Sequence, residues 1–158
     1  TGFSMGGFGA FHYMLSQPTL FASASSMSGA FNPAVAPWIQ KDFIPLLGDE
    51  SKNQAGYALL DLTARFKAAV SQKAKLPPLL ITCGTEDGLI ATNQKMRDQL
   101  RAWKFSVEYI EGPGGHNFAY WKGVAADVID FHWRTFQDGY KPIEHPKVEA
   151  QPAAAPAK

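Results

Sequence analysis

The chain has 158 residues, of which 46% are hydrophobic and 18% charged, and its formal net charge is +1. This composition is typical of one globular domain and excludes an intrinsically disordered protein. It carries neither a basic stripe nor a block of like charges, so nothing in it favours a nucleic-acid-binding protein. No apolar stretch is long enough for a transmembrane helix. The single cysteine, Cys83, excludes an internal disulfide and a multi-cysteine metal site.

The chain opens on a G-x-S-x-G sequence, Gly2-Phe3-Ser4-Met5-Gly6. This pattern is typical of a nucleophile elbow, a sharp turn from a strand into a helix that exposes a serine hydroxyl beside a base. We expect Gly2 and Gly6 to remove Cβ atoms that would clash in such a turn. The amide of Met5, at the start of the helix, is the expected oxyanion donor. The pentapeptide alone leaves open a glycine-rich turn without a catalytic serine.

Only Thr1 precedes this pattern, although an elbow needs a strand that leads into it. We therefore expect the chain to be the C-terminal part of a longer protein, with the first strands of the sheet upstream. Localisation and oligomeric state are left open by the sequence.

Apolar residues at helical spacing predict a helix over residues 6–17, ended by Pro18. Glycine is a poor helix former, so the glycines at positions 6, 7 and 9 indicate that a second backbone comes close to this helix. His12 lies more than one helical turn beyond Ser4, which favours a packed or surface histidine over a catalytic one. Residues 21–27 are small and alternating, and they predict a short buried strand.

Residues 30–76 are rich in Pro, Trp and Phe at first and helical in spacing later. The later helix is predicted from Leu59, Leu62 and Phe66. The aromatic residues of the first part are candidates for a substrate pocket, but the protein core is the favoured alternative for them. They are Phe31, Trp38 and Phe43.

A continuous apolar run over residues 79–83 predicts a central strand that is covered on both faces. Cys83, at its end, is expected to be a small buried residue rather than a nucleophile. A helix over residues 92–104, a strand over 106–110 and a helix over 119–136 are predicted next. Their inward-facing residues are expected to be Met96, Leu100 and Trp103 in the first helix and Val124, Val128, Phe131 and Thr135 in the second. Residues 138–158 turn polar and then Ala/Pro-rich, which predicts a disordered tail.

Three candidate catalytic residues each follow a strand: Ser4 in the elbow, Asp87 after the strand over 79–83, and His116 after the strand over 106–110. The carboxyl ends of parallel strands meet at one edge of a sheet, so we expect these side chains to lie together. The order serine, acid, histidine is that of α/β-hydrolases. In this hypothesis His116 takes the proton of Ser4 and returns it to the leaving alcohol, while Asp87 orients His116.

The residues alone leave alternatives open at this site. Glu86 is a rival for the acid because it stands next to Asp87. His116 could instead be a surface loop histidine, whereas His132 on the last helix and His145 in the tail are poor candidates for the base.

Three stretches of the sequence resemble the esterase D, or putative esterase, family. They are Gly-Phe-Ser-Met-Gly-Gly-Phe-Gly-Ala from position 2, Cys-Gly-Thr-Glu-Asp from position 83 and Glu-Gly-Pro-Gly-Gly-His-Asn-Phe-Ala-Tyr-Trp from position 111. The family includes tributyrin-type esterases, S-formylglutathione hydrolases, and acetyl-xylan or feruloyl esterases. The last stretch is most similar to the tributyrin-esterase-like branch. The resemblance extends from residue 1 to about residue 136.

The resemblance implies an α/β-hydrolase fold, of which residues 1–137 would form the C-terminal half, from the elbow to the last strand and helix. It implies a serine carboxylesterase that uses neither a metal ion nor a cofactor. Ser4 would be the nucleophile, His116 the base and Asp87, rather than Glu86, the acid. The expected partner is a small-molecule or carbohydrate acyl ester, without nucleic acid. Further substrate contacts are expected from Phe31, Trp38, Asn117 and Trp121.

Other functions stay open beside a short-chain esterase. One is S-formylglutathione hydrolase, which would need a pocket for a charged tripeptide, and another is acyl transfer to a sugar. A third, from a different class, is a catalytically idle esterase-like domain that binds carbohydrate or a protein partner.

In the family, the first strands and the loop with the second oxyanion donor lie before the elbow. Loss of one oxyanion donor costs about 10²–10³ in rate, so we expect little or no activity from this chain alone. Missing strands would also leave an unpaired sheet edge, which favours aggregation.

Overall fold

The structure is a computed structural model that describes residues 1–31 and 45–146. Trp38 and Phe43, two of the candidate pocket residues, lie outside the described residues, as do residues 147–158 of the tail. The strands are β1 Gly2–Phe3, β2 Ala24–Met27, β3 Leu79–Gly84 and β4 Val107–Gly112. The helices are α1 Met5–Ser16, α2 Gln54–Ala58, α3 Leu62–Ser71, α4 Ile90–Ala102, α5 Phe118–Gly123 and α6 Ala125–Thr135. Short 3-10 turns cover Pro18–Leu20 and Glu50–Lys52.

The described strands form one parallel sheet in the order β1-β2-β3-β4. In its register Gly2 pairs with Ser26, Ala24 with Leu79, and Leu79 in turn with Val107. Because all four strands run in the same direction, their carboxyl ends lie on one edge of the sheet. The loops that follow β1, β3 and β4 carry the three candidate catalytic residues to that edge.

Helices cover both faces of the sheet, as the contacts of successive β3 residues show. Leu79 and Ile81 pack in a core cluster with residues of α1, α3 and α4, whereas Leu80 packs with Val128 and Phe131 of α6. All six residues of β3 are buried, so the prediction of a central strand covered on both faces is confirmed. Its apolar run is continuous because neither face meets water.

Two predicted helices differ from the structure. The helix predicted over 119–136 is divided at Val124 into α5 and α6, and Gly123, a poor helix former, ends the first of them. The helix predicted from Leu59 begins at Leu62, because the carboxylate of Asp61 accepts the amide of Ala64 and starts a new helix there. Leu59 therefore lies outside it and is exposed.

The last described residues run beside β4. Residues 138–146 belong to the segment predicted to be disordered, but the structure describes them, and two of their side chains are hydrogen-bonded to Glu108. Within the described ranges, no helix combines the length and the apolar character that a membrane crossing requires.

Candidate active site

Ser4 stands between β1 and α1 in a backbone conformation that L-residues rarely adopt, with φ 54° and ψ −122°. Such a conformation costs about 1–3 kcal/mol and persists only where its surroundings hold it. Backbone hydrogen bonds to β2 and the residues after it fix this conformation of Ser4. The amide of Ser4 donates to the carbonyl of Met27 at 2.9 Å, and the amide of Ala30 donates to the carbonyl of Ser4 at 3.2 Å. This is the turn that a nucleophile elbow needs, because it lifts the hydroxyl out of the strand.

Two glycines allow the elbow to close. A Cβ atom on Gly2 would overlap the backbone carbonyl of Gly6, and a Cβ atom on Gly7 would overlap the hydroxyl of Ser26 in β2. At Gly6 and Gly9, an added Cβ atom would meet no described atom within 4 Å beyond the adjacent residues and the backbone of its own helix. The expectation of a clash at Gly6, and of close packing at Gly9, is therefore wrong for the part of the chain that the structure describes. The close approach of α1 to the sheet depends on Gly7.

Asp87, His116 and Ser4 form a continuous chain of hydrogen bonds. Nδ1 of His116 lies 2.9 Å from Oδ2 and 3.1 Å from Oδ1 of Asp87, and Nε2 lies 2.8 Å from Oγ of Ser4. Asp87 is 2% exposed, and its Oδ1 also accepts the amide of Leu89 at 2.8 Å. An imidazole that donates from Nδ1 to this carboxylate keeps Nε2 free to accept the hydroxyl proton of Ser4.

Glu86, the rival acid, faces a different partner. Its carboxylate accepts the hydroxyl of Thr85 at 2.7 Å and the amide of Gly114, and its own amide donates to the carbonyl of Gly114 at 3.1 Å. The hydroxyl of Thr85 and the amide of Gly114 lower the pKa of Glu86. Asp87, not Glu86, is thus the carboxylate at hydrogen-bond distance from the imidazole of His116.

An aromatic cluster of Phe3, Phe118 and Trp121 contacts the histidine through Trp121. The ring of Trp121 meets that of His116 edge to face at 5.1 Å and stacks on Phe3 at 4.4 Å. Phe118 lies 5.2 Å from both Phe3 and Trp121. Nε1 of Trp121 donates to the hydroxyl of Ser28 at 3.1 Å, which fixes the indole. Sequence analysis missed Phe3, Phe118 and Ser28, although Phe3 precedes Ser4 and Phe118 follows His116 by two positions.

The remaining predicted site residues lie in three settings. Met5 is the first residue of α1, so its amide is one of the four that have no acceptor within the helix. Oδ1 of Asn117 accepts the amide of Tyr120 at 3.1 Å and caps α5, which gives this side chain a structural task. Phe31 is buried in the core, which was its favoured alternative, and it has no surface to offer a substrate.

Other titratable groups that could act as base or nucleophile are engaged away from Ser4. Ring nitrogens of three histidines are hydrogen-bonded as follows: His12 to Leu59 and Arg65, His132 to Ser23 and Ser25, and His145 to Glu108. Burial raises the pKa of the Cys83 thiol to about 12, so this group stays protonated and is a poor nucleophile. Among the described residues, no cluster of three or more His, Cys, Asp and Glu side chains could hold a metal ion.

Comparisons with known proteins find esterases among the relatives of this chain. A family model described as "Putative esterase" matches residues 1–127. An acetyl esterase of Caldicellulosiruptor saccharolyticus is 25% identical over 140 residues, which cover 84% of this chain and 52% of that protein.

Two solved structures from Staphylococcus aureus are similar as well. An S-formylglutathione hydrolase has 28% identity and a TM-score of 0.65, with 83% of this chain and 49% of that chain covered. A fluorophosphonate-binding serine hydrolase has 26% identity and a TM-score of 0.69, with 87% and 53% covered. The chain thus spans about half the length of the relatives that it matches.

These findings confirm the expected α/β-hydrolase fold, of which the parallel sheet, its covering helices and the elbow at Ser4 are a part. Since the family model matches residues 1–127 of 158, the chain belongs to the putative esterase family of α/β-hydrolases.

Proposed function

We propose that Ser4 is the nucleophile of a serine carboxylesterase that hydrolyses short-chain acyl esters, including acyl groups on carbohydrates. The observation that carries this proposal is the hydrogen-bond chain from Asp87 through His116 to Ser4, whose links measure 2.9 Å and 2.8 Å. Residues 1–137 are proposed to be the C-terminal part of the catalytic domain, and the activity is proposed for the whole protein to which the chain belongs.

The first half of the reaction forms an acyl-enzyme. Nε2 of His116 takes the proton of Ser4 as Oγ attacks the ester carbonyl carbon, and Asp87 stabilises the imidazolium that results. The carbonyl oxygen becomes an oxyanion, to which the amide of Met5 at the start of α1 donates. The bond from carbon to the leaving oxygen then breaks, and His116 gives its proton to the departing alcohol.

The second half returns the free enzyme. His116 takes a proton from water as the water oxygen attacks the acyl carbon, and the same amide binds the second oxyanion. The bond to Oγ breaks, the carboxylic acid leaves, and Ser4 recovers its proton from His116. Protons and electrons balance over the two halves of the reaction, and water is the only co-reactant.

S-formylglutathione hydrolysis is a second candidate, because two similar solved structures carry that description. The described rings around His116 favour an apolar acyl or alcohol group over a charged tripeptide. Phe3 is 40% and Phe118 is 69% exposed, and both rings pack against Trp121, which contacts His116. Rates on short aryl esters and on a glutathione thioester distinguish the two candidates: a higher kcat/KM on the thioester would favour the second.

The proposal is tested by labelling the whole protein with a fluorophosphonate and locating the adduct by mass spectrometry. One relative is described as fluorophosphonate-binding, which makes this probe suitable. We expect an adduct on Ser4 that is lost in Ser4→Ala and in His116→Ala, and that persists in Ser71→Ala, a control at the exposed end of α3. A folded whole protein that is not labelled at Ser4 would contradict the proposal and favour the idle binding domain.

A further inference from the structure

The loop that carries His116 is tied to the loop that carries Asp87 through one residue. Glu86 makes two hydrogen bonds to Gly114: its amide donates to the Gly114 carbonyl at 3.1 Å, and its carboxylate accepts the Gly114 amide. A third bond, from the hydroxyl of Thr85 at 2.7 Å, holds the same carboxylate in place. Both polar groups of Gly114 are therefore bound by a single neighbour.

Close packing limits displacement of the Gly114 backbone, whereas its dihedral angles can still rotate because glycine has no Cβ atom. Its φ of +134° is open to glycine and rarely to other residues. Its carbonyl lies against Gly84 so closely that a Cβ atom there would overlap it, and its Cα faces the ring of Tyr120. Without the bonds from Glu86, the adjacent Gly114 and Gly115 would leave the peptide before His116 free to adopt other rotations.

We infer that Glu86 is a positioning residue for His116: by binding Gly114 it fixes the backbone two residues before the imidazole. The inference rests on the proposed esterase function. The adjacent residues Asp87 and Glu86 then have separate roles. Asp87 binds the His116 ring at Nδ1, and Glu86 binds the backbone that carries the ring. The distance of 2.8 Å from Nε2 of His116 to Oγ of Ser4 depends on both.

The size of the expected effect follows from the sensitivity of proton transfer to geometry. A misplacement of about 1 Å in a catalytic group costs about 10²-fold in rate. Glu86 is exposed, so replacing it leaves no cavity, and the variants should fold like the native protein.

The experiment compares Glu86→Ala, which removes the acceptor, with Glu86→Gln, which keeps an acceptor oxygen without the charge. Glu50→Gln, an exposed glutamate in the 3-10 turn before α2, is the matched control. Three quantities are measured in the whole protein: the rate of fluorophosphonate labelling at Ser4, hydrogen exchange at the Gly114 amide, and the NMR signal of the Nδ1 proton of His116.

We expect Glu86→Ala to label about 10- to 100-fold more slowly. It should also exchange the Gly114 amide faster and shift or broaden the His116 signal. Glu86→Gln should restore all three quantities most of the way, and Glu50→Gln should change none. Native values of all three quantities in Glu86→Ala would overturn the inference. Because Glu86→Gln keeps an acceptor oxygen, changes in it as large as those in Glu86→Ala would overturn the inference as well.

Failure of the proposed function is a separate result. A native protein that is not labelled at Ser4 contradicts the esterase proposal, while amide exchange at Gly114 and the His116 signal still decide whether Glu86 holds this loop.

Discussion

Nε2 of His116 lies 2.8 Å from Oγ of Ser4, although the two residues are 112 positions apart in the chain. The contact exists because β1 and β4 end at the same edge of one parallel sheet. The aromatic ring of Trp121 and the carboxylate of Asp87 hold the imidazole from two sides. Each of these two supports can be removed separately by substitution.

Replacing Asp87 with Asn should lower kcat by about 10³- to 10⁴-fold, because the amide favours the wrong tautomer of His116 while leaving the geometry nearly intact. The measurement is kcat on a short aryl ester, made with the whole protein. Asp127→Asn, a change at an exposed position in the first turn of α6, is the control and should keep native kcat. Equal kcat in both variants would show that Asp87 does not act on His116.

Trp121→Leu should lower kcat/KM and stability more than Trp121→Phe. Both changes remove the bond from Nε1 to Ser28, which leaves a buried hydroxyl that costs about 1–3 kcal/mol, but only the phenylalanine keeps a ring against His116. Trp133→Phe, at an exposed tryptophan of α6, is the matched control. Urea unfolding and kcat/KM on one ester give the two quantities, and identical kcat/KM in both Trp121 variants would exclude a role for the ring contact.

Glu108 should make the folded state sensitive to acid. Its buried carboxylate accepts bonds from both terminal nitrogens of Arg134, from the hydroxyl of Tyr140 and from Nε2 of His145. Burial raises the pKa of Glu108, but the hydrogen bonds from Arg134, His145 and Tyr140 outweigh it and hold the pKa at about 2, below the usual 4.5. A lowered pKa stabilises the folded state above the unfolded value, and this stabilisation is lost as the pH falls from about 4.5 to about 2.

Glu108→Gln should therefore lower the free energy of unfolding at pH 7 and flatten its fall between pH 4.5 and 2. Urea titrations at several pH values measure both effects. Glu144→Gln, at an exposed glutamate paired with Arg101, should leave the curve close to native. A Glu108→Gln curve parallel to that of the native protein would show that this cluster does not govern the acid sensitivity.

Glycine substitutions in α1 should separate into two classes in the 158-residue chain. Gly7→Ala should destabilise it, because the new methyl group would overlap the hydroxyl of Ser26. Gly9→Ala should stabilise it by about 0.5–1 kcal/mol, because alanine is the better helix former and the methyl group meets no described atom beyond the adjacent residues and its own helix backbone. The midpoints of urea unfolding measure both, and a destabilising Gly9→Ala would indicate that an atom outside the described residues packs there.

Much of the fold and of the candidate site was predictable because short stretches of sequence determine it. The G-x-S-x-G pattern indicated Ser4, and the apolar run over residues 79–83 indicated the central strand, because each depends on neighbours a few positions away. The strand-by-strand order placed Ser4, Asp87 and His116 at one edge, since parallel strands leave no other arrangement of their carboxyl ends.

Helix boundaries and supporting contacts were less predictable. The division at Val124 could not be read from apolar spacing, because the period continues through Gly123 while the backbone does not. Asn117 matched a family motif, but its amide oxygen is used for capping α5.

The sequence by itself determined which residues could do the chemistry, the order in which the strands carry them, and the need for glycine at position 2. Only the tertiary structure decided that Asp87 turns to the imidazole while Glu86 turns to Gly114, and that Trp121 meets the ring of His116. The physical reason is that Asp87 and Glu86 contact a loop that lies 29 and 28 positions further along the chain, and that the indole of Trp121 is oriented by Ser28, 93 positions before it. Such contacts depend on how the elements pack together, which local periodicity does not encode.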